Sequence, residues 1–262
     1  MTLDAATVGR LEAASARFTI VWAESHRGRP GNPLGIEIRA FGNATAVAAR
    51  ERPDLDFMNI VVGLGSDDAG KVEAIAGFYR RHGLRARIEL PPDAGARELM
   101  QAMTRQGGAQ VGFWTRLVAP AAHGRADSRV HVVAPGEASL FGRVWAEGMG
   151  IPEGEREAAG GSAATWVDDR ELICFLAESD GEAGAAAALL VHDRVGFLAI
   201  ASTRPHHRRR GLQAALIAAR IQAAGAAGCD LVSALCEFGS DSQRNLERAG
   251  LTVAYTPAVW RL

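Results

Sequence analysis

The chain is short of cysteine, of long apolar runs and of net charge, and each shortage removes a class of function. Its three cysteines, Cys174, Cys229 and Cys236, lie in apolar, strand-like surroundings without metal-ligand spacing. They read as buried thiols in a reducing compartment, so neither a disulfide framework nor a metal site is expected. No apolar run approaches the length of a membrane span, and Met1-Thr2-Leu3-Asp4 lacks the basic-then-apolar order of a signal peptide. The expectation is a cytoplasmic protein with no membrane partner. A formal charge of -1 over 262 residues gives no bulk attraction to nucleic acid, so any anion must be bound by local charge. With 48% hydrophobic residues the chain can bury a substantial core.

What the chain does have is a turn crowded with donors. Thr203-Arg204-Pro205-His206-His207-Arg208-Arg209-Arg210-Gly211-Leu212 joins an apolar strand at 195–201 to a stretch with a helical apolar period at 212–224. A helix that starts there aims its free N–H groups and its positive dipole end at an anion. Gly211 lets the backbone approach an oxygen, and Arg208, Arg209 and Arg210 supply charge-assisted donors. A solvated surface turn or a nucleic-acid patch is the alternative for an arginine run. His206 and His207 flank the turn and are expected to face phosphate or solvent.

This segment resembles the acetyl-coenzyme A loop of the GNAT acetyltransferases, whose pattern is Arg or Gln, two residues, Gly, one residue, then Gly or Ala. Arg208 and Gly211 match, Gln213 departs, and Ala214 and Ala215 keep the next turn small. Downstream, 229–236 reads as a strand and 240–249 as a helix opened by Ser or Asp, followed by Gly250-Leu251 and a closing strand, as in the last unit of that family. The resemblance covers roughly residues 128–262.

An internal repeat extends it. A shift of 143 positions lays 57–62 over the strand before the loop, the helix at 71–82 over the one after Gln213, 87–90 over 230–233, Arg105 over Arg248 and Gly107 over Gly250. The resulting expectation is an α/β (α+β) chain of two GNAT-like units, each a mixed, mostly antiparallel sheet flanked by helices. A degenerate N-terminal domain would span 1–120, a linker 121–127 and an acetyltransferase domain 128–262. In the N-terminal copy Gly65-Ser66-Asp67-Asp68-Ala69-Gly70-Lys71 replaces the arginines with carboxylates, which repel pyrophosphate. The same stretch satisfies most of a nucleotide-binding P-loop, but Val72 lacks the hydroxyl that would hold magnesium. An acidic-capped helix start is the plainer reading.

The resemblance implies an acetyl-coenzyme A-dependent N-acetyltransferase acting on a primary amine of a small molecule or peptide, as a monomer or homodimer without nucleic acid. By position, Ala201, Ser202 and Thr203 would pair with the pantetheine arm. Arg208, Arg209, Arg210, Gly211, Leu212, Gln213 and Ala214 would hold the pyrophosphate, with Ser242 and Asn245 hydrogen-bonding the coenzyme. Direct attack needs a base, for which Glu237 stands first and Glu178 second, each also readable as a solvated strand-end charge. The helix position where the family places a Tyr acid holds Leu246, and Tyr255 could reach in from the closing strand. A coenzyme-binding sensor without catalysis is the alternative. The segment 150–165, rich in Gly, Ala and Glu, falls where the family has a variable loop over the acceptor, and Trp114, Trp145 and Trp166 read as core before cleft.

Overall fold

A computed structural model describes residues 3–92, 96–122 and 127–262. The chain divides into an N-terminal unit of Thr19–Arg116, Cys236–Phe238 and Ala254–Leu262, and a C-terminal unit of Met1–Phe18, Leu117–Leu235 and Gly239–Val253. The first helix, α1 (Ala5–Arg27), contributes its opening turns to one and its last turns to the other.

In the N-terminal unit, the hairpin of β1 (Ile36–Phe41) and β2 (Ala44–Ala49) pairs with β3 (Ile60–Val62), which runs parallel to β4 (Arg87–Leu90). Successive side chains of β2 serve opposite faces, as strand geometry requires. Ala44, Ala46 and Ala48 meet Ile75, Phe78 and Tyr79 of α2 (Val72–Arg81) and Leu99 and Met103 of α3 (Ala96–Arg105). Val47 and Ala49 meet Ile36, Met58 and the end of α1 at Ala23. The last strand, β13 (Ala258–Arg261), lies antiparallel to both β4 and the start of β5 (Ala109–Pro120). Expected to finish the domain at 128–262, this strand completes the N-terminal sheet because its two hydrogen-bonding edges are both satisfied there.

The C-terminal unit is a sheet in the order β6 (Val130–Val132), β7 (Leu172–Ser179), β8 (Glu182–His192), β9 (Val195–Phe197) and β11 (Leu231–Glu237). The pairings are antiparallel except for β9 with β11, and β10 (Ala201–Thr203) continues on β8. Helices α4 (Ala138–Gly148), α5 (Glu153–Ala164), α6 (Leu212–Ala226) and α7 (Asp241–Arg248) complete it, with β12 (Thr252–Tyr255) following. Each unit therefore runs hairpin, strand, helix, strand, helix, strand. Gly107 and Gly250, matched by the repeat, share the left-handed conformation at φ 85° and 93°. The expected linker is described only in part: Ala121 N–H donates to Asp230 C=O at 2.9 Å, and residues 123–126 lie outside the described residues.

Most of 150–165 is helix, not loop: α5 takes up Glu153–Ala164. Pro152 caps α5, Glu153 and Glu155 complement its dipole, and its small residues let it press against α4, where a Cβ on Gly142 would lie 2.1 Å from Gly160 O. A Gly- and Ala-rich composition reads as loop unless the partner helix that needs the close approach is known. Trp145 and Trp166 are core, stacked edge to face at 5.1 Å, whereas Trp114 is half-buried beneath the Arg87 guanidinium at 4.5 Å.

His26, only 6% exposed at the end of α1, has neither ring nitrogen hydrogen-bonded, and burial pulls its pKa down to about 4. The unfolded chain takes up a proton near pH 6.5 that the folded one refuses. Stability is thus full above 6.5 and falls as pH drops toward 4, by up to about 3 kcal/mol. Urea unfolding across this window should show that loss in the native chain and a flatter profile in His26→Leu; equal slopes would contradict it.

Candidate active site

The strand expected at 195–201 is two strands with a break. β9 follows β11 in parallel from Val195 opposite Leu231 to Phe197 opposite Ser233. Leu198 N–H then donates to Ser233 C=O at 2.7 Å, Ala199 N–H turns back to Phe197 C=O at 2.8 Å, and the ladder with β11 stops. β10 goes on along β8 alone, with Ser202 opposite Ala186. Ala188 N–H donates to Ile200 C=O at 3.0 Å and Arg204 N–H to Gly184 C=O at 2.9 Å, which puts Ser202 in a hydrogen-bonded pair. By antiparallel alternation the N–H and C=O groups of Ala201 and Thr203 then point to the opposite edge. Among the described residues the N–H of half-buried Ile200 also has no backbone acceptor. Sequence reading missed Ile200, because only the break distinguishes it from any strand residue.

Both faces of β10 are held. Ser202 Oγ donates to Trp145 C=O of α4 at 3.1 Å, while Gln213 Nε2 of α6 donates to Thr203 Oγ1 at 2.8 Å. Neighbouring strand residues face opposite ways, so α4 and α6 cover opposite faces. Gln213, the departure from the family pattern, folds back as a tie. Gly148 is required by closeness: a Cβ there would sit 2.8 Å from Thr203 N.

Between β10 and α6 the backbone forms a concave turn. Arg208 is extended, Arg209 takes the left-handed conformation at φ 64°, and Gly211, N-cap of α6, takes it again at φ 76°. Left-handed residues interspersed before a helix start turn successive N–H groups inward, the geometry of an anion nest. A non-glycine residue at such a φ costs of order 1 kcal/mol and is held by its surroundings. Here Arg129 Nη1 grips Arg210 C=O at 3.0 Å, Arg208 Nε reaches Thr203 C=O at 3.3 Å, and Arg210 pairs with Asp180. Arg129, itself paired with Asp127 at 2.7 Å, was not singled out from sequence, since only tertiary structure brings it to Gly211. Leu212 is buried and Ala214 exposed.

His207 does not face the turn. It is buried with Nδ1 2.8 Å from Ser179 Oγ, and lies so close over β8 that a Cβ on Gly184 would meet its Cγ at 2.5 Å. The space left by Gly184 draws the ring inward; His206 stays exposed. Ser240 caps α7 by accepting from Gln243 N–H at 3.2 Å, Leu246 is buried, and Ser242 is exposed. A cavity of about 330 Å³ between α6 and α7 is lined by Ala214, Ala218, Ile221, Gln222, Asn245 and Arg248, with Ala122 and Ala249. Its size and its apolar floor with few polar groups suit a small ligand. Glu178 stands exposed near the end of β7, with His131 Nδ1 at 3.9 Å. Glu237, exposed at the end of β11, and Tyr255, half-buried at the end of β12, belong to the N-terminal unit. Among the described residues there is no cluster of His, Cys, Asp and Glu able to hold a metal, and no helix long and apolar enough to cross a membrane.

The loop at 65–71 is closed. It forms a 3₁₀ turn, Ser66–Lys71, in which buried Asp68 accepts the Gly65 N–H at 3.1 Å. Its own carboxylate occupies the Gly65 N–H, one of the donors that a P-loop would offer to phosphate.

The model of the acetyltransferase (GNAT) family matches residues 144–250, a segment that holds the strand break, the nest and α7. Residues 144–250 are thus similar to GNAT acetyltransferases. Solved structures agree on the fold. A GCN5-related N-acetyltransferase from Kribbella flavida is 18% identical over 96% of this chain and 95% of its own, with a TM-score of 0.59. One from Sphaerobacter thermophilus is 14% identical over 95% and 91%, at 0.57. A tandem GNAT protein from the clavulanic acid biosynthesis pathway is 11% identical over 74% and 67%, at 0.52. No curated protein matches the sequence.

The packing of His207 on Gly184 gives a direct test. Gly184→Ala should destabilise the C-terminal unit by about 2 kcal/mol or more through overpacking, and His207→Ala in the same chain should recover most of that loss. A double-mutant cycle by thermal unfolding reads the coupling, and additive effects would remove the contact.

Proposed function

We propose that this chain is an acetyl-coenzyme A-dependent N-acetyltransferase with one coenzyme site, in its C-terminal unit, serving a primary amine of a small molecule or peptide. The observation that carries this reading is that an open strand edge at Ala201–Thr203 runs into the nest at 208–211 within one turn of chain. An arm bearing amides fits the first and a pyrophosphate the second, which is the order of groups in coenzyme A. The nest offers N–H groups, the α6 dipole and exposed Arg208 and Arg209 to phosphate, while Asn245 lines the cavity and Ser242 is exposed on α7.

Acetyl-coenzyme A supplies an acyl group activated as a thioester. The chain's part is to present the backbone N–H of Ile200 to the acyl oxygen as it gains charge and to relieve the attacking amine of a proton. The amine nitrogen bonds the acyl carbon, the carbon–sulfur bond breaks, the amine proton passes to a base and the departing thiolate takes one up. Glu178 and Glu237 are the carboxylates for the first proton and Tyr255 a donor for the second. Glu178→Gln and Glu237→Gln distinguish them: the base variant loses rate and keeps coenzyme affinity.

Leu246, buried where the family has its acid, favours a second reading, a coenzyme-binding sensor without catalysis. Coenzyme release measured over a panel of amines separates the two, since a sensor binds acetyl-coenzyme A and releases no thiol on addition of any amine. The N-terminal unit is proposed as a degenerate GNAT-like copy, supported by its matching element order and by the loop closed on Asp68.

Two outcomes follow. Gly211→Val forces a β-branched residue to φ 76° and covers the nest, so acetyl-coenzyme A affinity by calorimetry should fall at least about tenfold while the circular dichroism spectrum is retained; unchanged affinity would remove the nest from the site. Equilibrium dialysis should find one coenzyme per chain, unaffected by Asp67→Ala, and ATP uptake abolished by Lys71→Ala would revive the P-loop.

A further inference from the structure

One charged side chain at the heart of the C-terminal unit is not explained by packing or by coenzyme contact. Arg220, midway along α6, is 2% exposed and has no carboxylate within ion-pair distance among the described residues. Instead it gives its hydrogen bonds to three carbonyls. Nε donates to Leu216 C=O at 3.1 Å, and Nη1 to Ala199 C=O at 2.8 Å and to Ala188 C=O at 3.4 Å. A buried guanidinium without a counter-ion carries a large desolvation cost, which a methionine or leucine at this helix position would avoid. Burial lowers its pKa to about 9, so it remains charged at neutral pH.

The carbonyl it holds most closely belongs to the break between β9 and β10. Ala199 stands outside both ladders, its N–H already spent on Phe197 C=O, and the guanidinium is the donor that its C=O would otherwise lack. The Ala199–Ile200 peptide is trans, so the Ile200 N–H points opposite to the Ala199 C=O. Pulling the carbonyl toward α6 therefore aims that N–H away from α6. A hydrogen bond from a cation also polarises the peptide, which makes the N–H at its other end a stronger donor. The N–H in question is the one without a backbone acceptor.

We propose that Arg220 is a positioning residue for acyl transfer: through Ala199 C=O it fixes and polarises the Ala199–Ile200 peptide so that the Ile200 N–H meets the thioester oxygen. The inference rests on the acetyltransferase reading. Arg220 touches neither coenzyme nor amine in this scheme; it acts through one peptide group.

The test uses the full chain with acetyl-coenzyme A labelled with ¹³C at the carbonyl, and reads the thioester C=O stretch by isotope-edited infrared difference spectroscopy. In the native protein the bound carbonyl should absorb at lower frequency than free acetyl-coenzyme A. Arg220→Met should abolish the downshift and Arg220→Lys should at least halve it, because the shorter ammonium cannot serve Ala199 while spanning the three carbonyls. Affinity for free coenzyme A, which has no thioester carbonyl, should stay within about twofold, and kcat with the best amine of the panel should drop at least about tenfold at little-changed KM. If Arg220→Met does not fold, Arg220→Lys alone decides. A downshift equal to that of the native protein in a folded variant overturns the proposal. Absence of any acetyl-coenzyme A binding by the native chain instead overturns the acetyltransferase reading, so the two failures are distinct.

Discussion

The site depends on a strand that changes partners. From 195 to 197 the chain is bonded on both edges, to β8 and β11, and from 201 to 203 it is bonded along β8 alone. A buried backbone group left without a partner costs about 1–3 kcal/mol, so an edge opened inside a sheet persists only where the rest of the domain holds it. Here α4 and α6 grip β10 from opposite faces through Ser202 and Thr203, and Arg220 supplies the donor that the break itself needs. Apart from the Thr203 C=O, which accepts from Arg208 Nε, the opened edge is left without a partner strand.

Close approach sets the positions around that edge. Gly148 lets α4 reach the β10 backbone, Gly184 admits the His207 ring, and Gly196 admits Ala224 of α6, whose Cβ would lie 2.5 Å from a Cβ placed there. The nest obeys a different constraint, since Gly211 and Arg209 are chosen by φ. Arg209 lacks glycine's freedom and is kept left-handed by the bonds that Arg129 and Arg208 make on either side. The loop is thus preorganised for an anion by its backbone, with the arginine side chains adding charge.

The two units show how one element order can carry opposite electrostatics. Before α6 the turn carries left-handed residues among arginines, whereas before α2 the turn folds Asp68 back onto the Gly65 N–H.

The turn before α6, α6 itself, β11 and α7 were legible in the sequence because each rests on local rules: an apolar period of 3.6, a glycine before a helix, a serine cap at Ser240 and alternation in strands. The expected match of Gly107 with Gly250 rests on the same kind of local rule, and both take the left-handed conformation. Local rules misread 150–165, where Gly160 serves a helix–helix contact with Gly142, and His207, whose ring is drawn toward a glycine 23 residues earlier. Long-range pairing alone decided the rest. Whether 195–203 is one strand or two depends on where β11 stops running beside it, the affiliation of 258–261 depends on which edges were free, and the reach of Arg220 to Ala199 exists only once α6 lies on the sheet. Sequence sets what each segment prefers; which hydrogen bonds are left unmade, and hence where a ligand can bind, is a property of the assembled fold.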